Sequence, residues 1–368
     1  MNSPATEKLL SLDPFDFSPE AKKVFLESFK ENAAHHYQNH EFTQKLWDHL
    51  GFHPDQLRTE ADLESVPGTM VHLFKEHELR TAPESEIVLS LTSSGTGGQK
   101  SRQFLDQQSL DNVKTLALNI HRSLGMASDR NYNYLCFTYD PAVAGDLGTA
   151  FTDELLTNFT GKKEVYYAIQ WDAQKNDFVL NEPGVLETLK KFAASGVPTR
   201  VLGFPALLHE ILEKNDLQLN LGPESWLQTG GGWKGKAEKE IPKQEFRQLI
   251  ERRLGIPPEH QRDLFGMVEH GIPYVDCAKG NLHIPNYARV YTRSPHDLSL
   301  LKKGDRGLLQ FLCSYNFSYP APSLLTTDYG RVGQCDCGIG GDVLVLDGRA
   351  GVTKHKGCAL KALELLEK

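Results

Sequence analysis

The sequence predicts an α/β protein: parallel, helix-covered sheets followed by a smaller β-rich subdomain. Three observations carry that expectation. Between Tyr134 and Phe265 short apolar runs alternate with helical patterns of about ten to fifteen residues, the texture of βαβ units. Glycine-rich stretches directly follow several of those runs, where ligands bind in parallel sheets. From Pro273 onward the pattern becomes short strands separated by turns. The chain has 368 residues, 39% hydrophobic and 24% charged, enough for a sizeable core and more than one subdomain.

In order, residues 17–52 read as helical. Ser18 caps, Pro19 suits the first turn, and Val24, Phe25 and Phe29 share a face. His35 and His36 read as surface residues near the helix end, and a second helix carries Leu46, Trp47 and Leu50. Pro67–Glu78 leads to a short buried strand at Ile87–Leu91. Helix Ser109–Leu124 precedes strand Tyr134–Thr138, and a helix around Asp153–Asn158 precedes strand Glu164–Ile169. Helix Pro183–Ala194 precedes strand Thr199–Gly203. Helix Pro205–Lys214 precedes strand Ser225–Thr229, and helix Pro242–Leu254 precedes strand Arg262–Phe265. The later strands are Ala288–Thr292, Gly307–Cys313 and Asp342–Leu346. This divides the chain into an α/β region at 1–272, a β-rich subdomain at 273–350 and a short segment at 351–368. No repeat or low-complexity tract is present.

The net charge of −8 gives no reason to expect nucleic acid or an anionic membrane as partner. The amino terminus lacks the basic-then-apolar order of a signal peptide, and no run is long and apolar enough for a transmembrane segment. Six cysteines in so long a chain suggest a reducing cytoplasm rather than a disulfide scaffold.

Five stretches carry chemistry. Thr92, Ser93, Ser94, Gly95, Thr96, Gly97 and Gly98, with Lys100 close behind, suit an anion-wrapping loop of backbone N–H groups, hydroxyls and a cation. Gln99 before Lys100 breaks the Walker pattern, and a flexible surface turn is the alternative. Gly230-Gly231-Gly232 would let a flat ring or a sugar lie against backbone, or be an ordinary strand-to-loop turn. Phe265-Gly266-Met267-Val268-Glu269 offers an aromatic ring and a carboxylate for Mg²⁺; alone, Glu269 reads as a solvated loop residue. Asp328 suits ribose hydroxyls, or a turn. Asp347-Gly348-Arg349, with Lys354 and Lys356, reads as a charged site or a plain hairpin.

The order TSSGTGG, TGGGW, FGMVE, TTD and DGR…KHKG resembles the adenylate-forming superfamily, from about Pro67 to Gly357. Within it the chain looks like a LuxE-type acyl-protein synthetase. It has the SSGT loop, the preceding Pro67 with Phe74-Lys75, and a late cysteine, Cys358. The resemblance implies the large-domain fold of adenylate-forming enzymes, ATP and Mg²⁺ as cofactors, and a fatty acid as substrate. It implies a phosphate loop at Thr92–Gly98 with Lys100. Gly231, Gly232, Phe265 and Gly266 would lie around adenine, Glu269 on Mg²⁺, and Asp328 and Arg349 on the ribose-phosphate. Superfamily members usually continue for about a hundred residues, one small domain. Here that domain would be absent or vestigial, with Lys354 or Lys356 replacing its lysine.

The implied chemistry is acyl-adenylate formation, then transfer to the Cys358 thiolate, which Lys354, His355 and Lys356 favour. A LuxC-like reductase would accept the acyl group. On residue pattern alone Cys358 is a small buried residue of a terminal helix. Cys277, His283, Cys335 and Cys337 form a Cys3His set suited to structural zinc, or are free thiols with a surface histidine. Cys136 and Cys313 sit in apolar runs and read as core. Two rival functions are an acyl- or aryl-CoA ligase of the phenylacetate-CoA ligase-like type and a non-catalytic nucleotide-binding scaffold.

Overall fold

A computed structural model of the chain describes residues 3–93, 101–140, 148–174, 176–233 and 239–349. The elements begin with α1 (Pro4–Ser11), α2 (Pro19–Asn39), α3 (Glu41–His49), β1 (Thr69–Met70), α4 (Leu73–Glu76), β2 (Ile87–Thr92) and β3 (Arg102–Asp106). The middle holds α5 (Gln107–Ser123), β4 (Asn131–Tyr139), α6 (Gly148–Thr157), β5 (Gly161–Asp172), β6 (Asp177–Leu180) and α7 (Glu182–Ala194). It continues with β7 (Thr199–Gly203), α8 (Pro205–Lys214), β8 (Trp226–Gly230), α9 (Lys243–Leu254) and β9 (Gln261–Phe265). Then come β10 (Tyr274–Val275), β11 (Leu282–His283), β12 (Ala288–Arg293), β13 (Gly307–Cys313), β14 (Ser323–Gln334) and β15 (Asp342–Arg349).

The chain forms two compact units. One comprises Met1–Ile87, Leu105–Ser109 and His283–Lys368; the other comprises Val88–Phe104 and Leu110–Leu282. The amino-terminal helices therefore group with the β-rich part, whereas the sequence division at residue 272 joins them to the α/β region. The physical reason is packing. The Arg289 guanidinium of β12 lies 3.9 Å over the Phe25 ring of α2, the face that periodicity assigns to the core. Tyr287 Oη also donates to the Leu12 carbonyl at 3.0 Å.

The sheet unit holds seven strands in the order β10-β9-β8-β7-β4-β5-β6. Neighbours from β9 to β5 are parallel, and β10 and β6 close the edges antiparallel. One face carries a buried cluster of Leu135, Phe137, Val201 and Leu227 with Leu189, Ile211 and Ile250 from α7, α8 and α9. The other face meets α5, whose buried His121 Nε2 lies 2.8 Å from Gln228 Nε2. Adjacent residues 227 and 228 thus point to opposite faces, as strand alternation requires.

The β2–β3 ribbon is a separate two-stranded sheet. This corrects the buried-strand reading of Ile87–Leu91: Val88 is 52% exposed, and exposure alternates along β2. In the β-rich unit the order is β11-β15-β14-β13-β12, with β1 parallel to the start of β14. β14 was not expected from the sequence; its Thr326-Thr327-Asp328 core reads locally as a turn. Burial on both sides overrides that local preference. His36, read as a surface residue, is fully buried instead.

Candidate functional site

The carboxyl ends of β8 and β9 are adjacent, with Gly230 opposite Leu264. Gly231 and Gly232 follow at φ 74° and 65°, two left-handed residues in succession. Such a turn presents backbone where a side chain would otherwise stand. A Cβ added at Gly232 would meet open space. Next to them Phe265 ends β9, its ring 6.0 Å from that of Tyr274. Gly266 is exposed. A tight turn then closes with the Gly271 N–H donating to the Met267 carbonyl at 2.9 Å. That turn buries Glu269 to 7% exposure.

Thr92 ends β2 and Ser93 follows it. The Ser93 N–H donates to the Ser101 carbonyl at 3.0 Å, and the Ser101 N–H donates to Ser93 Oγ at 2.9 Å. These bonds tie together the two ends of the glycine loop. Ser94, Gly95, Thr96, Gly97, Gly98 and Lys100 themselves lie outside the described residues, as do Lys354, Lys356 and Cys358.

A charged group at the same sheet edge was not foreseen. Lys243 Nζ lies 2.5 Å from Asp276 Oδ2 and 3.9 Å from Asp263 Oδ2. Thr229 Oγ1 donates to Asp263 Oδ1 at 3.1 Å. Desolvation pushes the Asp263 carboxyl up to about 6, aided by Asp276 and opposed by Lys243. The three residues come from α9, β9 and the loop after β10, with no period to reveal them.

In the β-rich unit, Asp328 of β14 stands opposite Arg349 of β15. Asp328 is buried, and its N–H donates to Thr326 Oγ1 at 3.2 Å. It is a strand residue, not the turn-former that its local sequence suggests. Asp347 is tied by Arg331 Nη1 at 3.0 and 2.8 Å, with Arg306 Nε at 3.5 Å.

Cys277, His283, Cys335 and Cys337 offer ligand atoms that all lie within 4.8 Å of one another. Cys277 opens a tight loop in which its N–H donates to the Asn281 carbonyl and the Gly280 N–H returns to the Cys277 carbonyl, both 2.9 Å. Cys335 and Cys337 occupy the turn between β14 and β15. His283 Nε2 is 3.1 Å from Cys337 Sγ. In tetrahedral zinc sites, ~2.3 Å metal–sulfur bonds put neighbouring ligand atoms ~3.8 Å apart. The set therefore fits zinc after shifts of up to about 1 Å, inward for the widest pairs and outward for His283 and Cys337. Cys136 and Cys313 are core residues, as their apolar runs suggest, and burial pushes the Cys313 thiol up to about 12.

Comparison with known proteins agrees with the fold and supplies a chemical class. The family model described as "Acyl-protein synthetase, LuxE" matches residues 2–366. The long-chain-fatty-acid–luciferin-component ligase of Vibrio harveyi is 24% identical over 351 residues, covering 93% of this chain and 88% of that protein. The phenylacetate-coenzyme A ligase of Escherichia coli (strain K12) is 24% identical, covering 87% of this chain and 70% of that protein. Among solved structures, an open conformation of 2-hydroxyisobutyryl-CoA ligase, in complex with 2-HIB-AMP and CoA, superposes with a TM-score of 0.67. It is 16% identical and covers 90% of this chain and 75% of that chain. The shared fold is that of adenylate-forming CoA ligases.

Proposed function

The chain belongs to the LuxE family of acyl-protein synthetases, ligases that activate an acyl group, and from that premise we propose that it activates a long-chain fatty acid with ATP and then carries the acyl group on Cys358. The fatty acid carboxylate attacks the α-phosphorus of ATP, and pyrophosphate leaves. The Cys358 thiolate then attacks the acyl carbonyl, AMP leaves, and a thioester remains. The observation that carries this reading is the family match, which spans both the glycine loop and Cys358.

The geometry supports the first step. Gly231, Gly232, Phe265 and Gly266 stand side by side at the ends of two paired strands, suited to a flat base. Glu269 is the carboxylate three residues beyond Gly266, suited to Mg²⁺. Lys100 and the loop N–H groups would offset charge building on the α-phosphate and pyrophosphate. Asp328 and Arg349 suit the ribose-phosphate, and Lys354 or Lys356 the adenylation lysine. A reductase that accepts the acyl thioester is the partner of this reading. Intact mass after incubation with Mg·ATP and tetradecanoic acid tests it. A hydroxylamine-labile adduct is expected on wild type and not on Cys358→Ala. Pyrophosphate release only when CoA is present would instead favour a CoA ligase, the reading that the phenylacetate-CoA ligase relative supports.

We further propose that Cys277, His283, Cys335 and Cys337 hold structural zinc that fixes the turn between β14 and β15. Purified protein is expected to carry about one zinc per chain, and Cys335→Ser almost none, with a lower melting temperature. Full-length protein with reduced thiols and no bound zinc would refute the site.

A further inference from the structure

We propose that Tyr139, Phe178 and Trp171 form an aromatic shelf that receives the methyl end of the fatty acyl chain. The inference rests on the fatty acid reading above and names residues that would set chain-length preference.

The three rings run in sequence across the sheet edge. Trp171 of β5 stands directly opposite Phe178 of β6, with ring centroids 5.1 Å apart and nearly perpendicular. Tyr139, the last residue of β4, meets Phe178 edge to face at 4.9 Å. Edge-to-face pairs at these distances are favourable and hold the rings in place. Trp171 nevertheless remains 46% exposed, the most exposed aromatic side chain among the described large hydrophobics. An exposed ring backed by two half-buried ones offers an apolar surface that a hydrocarbon chain can cover.

Position argues for the occupant. Tyr139 closes β4 at the same carboxyl edge where Gly230 and Phe265 close β8 and β9. From β8 the sheet order passes β7, β4 and β5 to reach β6. Four spacings of ~4.8 Å give ~19 Å along the edge, about the length of an extended long-chain acyl group and beyond the reach of a short acid. Charge argues the same way. Asp172 and Asp177 pair at the end of the hairpin beside Trp171 and Phe178. With Lys175 the one cation between them in sequence, the stretch keeps a net negative charge, which disfavours an anionic head group or an anionic lipid surface and leaves an uncharged hydrocarbon tail as the fitting guest.

The test compares acid-dependent pyrophosphate release with tetradecanoic and octanoic acids. In the double variant Trp171→Ala/Phe178→Ala, kcat/KM for tetradecanoic acid is expected to fall about tenfold, as for the loss of an aromatic contact. The value for octanoic acid should stay within about twofold. Equal losses for both acids, or no loss for the long one, would overturn the shelf. A second measurement does not need turnover. A long-chain acid brominated at its methyl end should quench the fluorescence that wild type has and Trp171→Phe lacks, and an acid brominated beside the carboxyl should not. Equal quenching by both, or none by either, would also overturn the proposal. Absence of pyrophosphate release from wild type with every fatty acid would sink the activity reading instead, and the quenching result would still decide the shelf.

Discussion

One interior in each unit shows a different means of burying side chains. In the sheet unit the core cluster is hydrocarbon, with Leu135, Val201, Leu227 and Ile250 interlocking between strands and helices. In the β-rich unit the interior is threaded by hydrogen bonds. Ser28 Oγ lies 2.9 Å from Thr6 Oγ1 and 2.7 Å from Ser314 Oγ. Asn32 Nδ2 donates to the Asn316 carbonyl at 2.8 Å, and His36 Nε2 donates to the same oxygen at 2.9 Å. Asn316 Oδ1 accepts from Ser318 N–H and Oγ–H at 2.9 Å each and from Tyr319 N–H at 3.0 Å. Hydrocarbon packing tolerates graded change, because a neighbour can shift into a small gap. A buried polar network does not, because each lost partner strands another group away from water. The interior around Asn316 is therefore fixed by identity, residue by residue, and the cluster between sheet and helices more by volume.

That contrast gives the largest expected effect. Asn316→Ala removes one acceptor from three buried donors and should cost about 4 kcal/mol. Leu227→Ala, which only opens a cavity, should cost about 3 kcal/mol. Native-state hydrogen exchange resolves where each loss falls. Asn316→Ala should speed exchange in α2 and β14 while β7, β8 and β9 keep their protection, and Leu227→Ala should do the reverse. If Asn316→Ala leaves α2 protected, the network does not hold that unit together.

The same contrast explains what could be read from the sequence. Strands β4, β5, β7 and β8 were legible as largely apolar runs, and β9 by its closing Leu264-Phe265 before a glycine, because helical periods separate them. The glycine turns at the ends of β8 and β9 were legible because backbone permissiveness is written in residue type. β14 was not, since it is flanked by β13 and β15 and capped by β1, a strand some 250 residues away that its local sequence cannot reveal. His36 was not, because a histidine near a helix end gives no sign that a loop some 280 residues away supplies its partner. The Cys3His set could be listed by spacing, but its convergence belongs to the fold. Lys243, Asp263 and Asp276 share no spacing at all.

Acid sharpens the comparison with a smaller effect. Burial, reinforced by His35, holds the His36 imidazole down at about 3, against the pull of the Asn316 carbonyl. In the sheet unit, burial brings His121 down to about 4 and His270 to about 3. An unfolded histidine takes its proton near 6.5. Between that value and the folded ones, the unfolded state binds protons that the folded state refuses. The stability that neutral histidine allows is thus complete above pH 6.5 and lost as pH falls toward 4 and then 3. By pH 5 each group costs about 2 kcal/mol. Asp263 has the opposite sign: its folded carboxyl takes a proton first, so falling pH below about 6 favours the folded sheet unit and offsets part of its loss. The β-rich unit has His36 without such an offset from Asp263. His36→Gln keeps a donor toward the Asn316 carbonyl and removes the titration. In this variant the drop in exchange protection of α2 between pH 7.5 and pH 5, after correction for intrinsic exchange rates, should shrink by about 2 kcal/mol, with β7–β9 unaffected. An unchanged drop would mean that His36 is not the group through which acid loosens this unit.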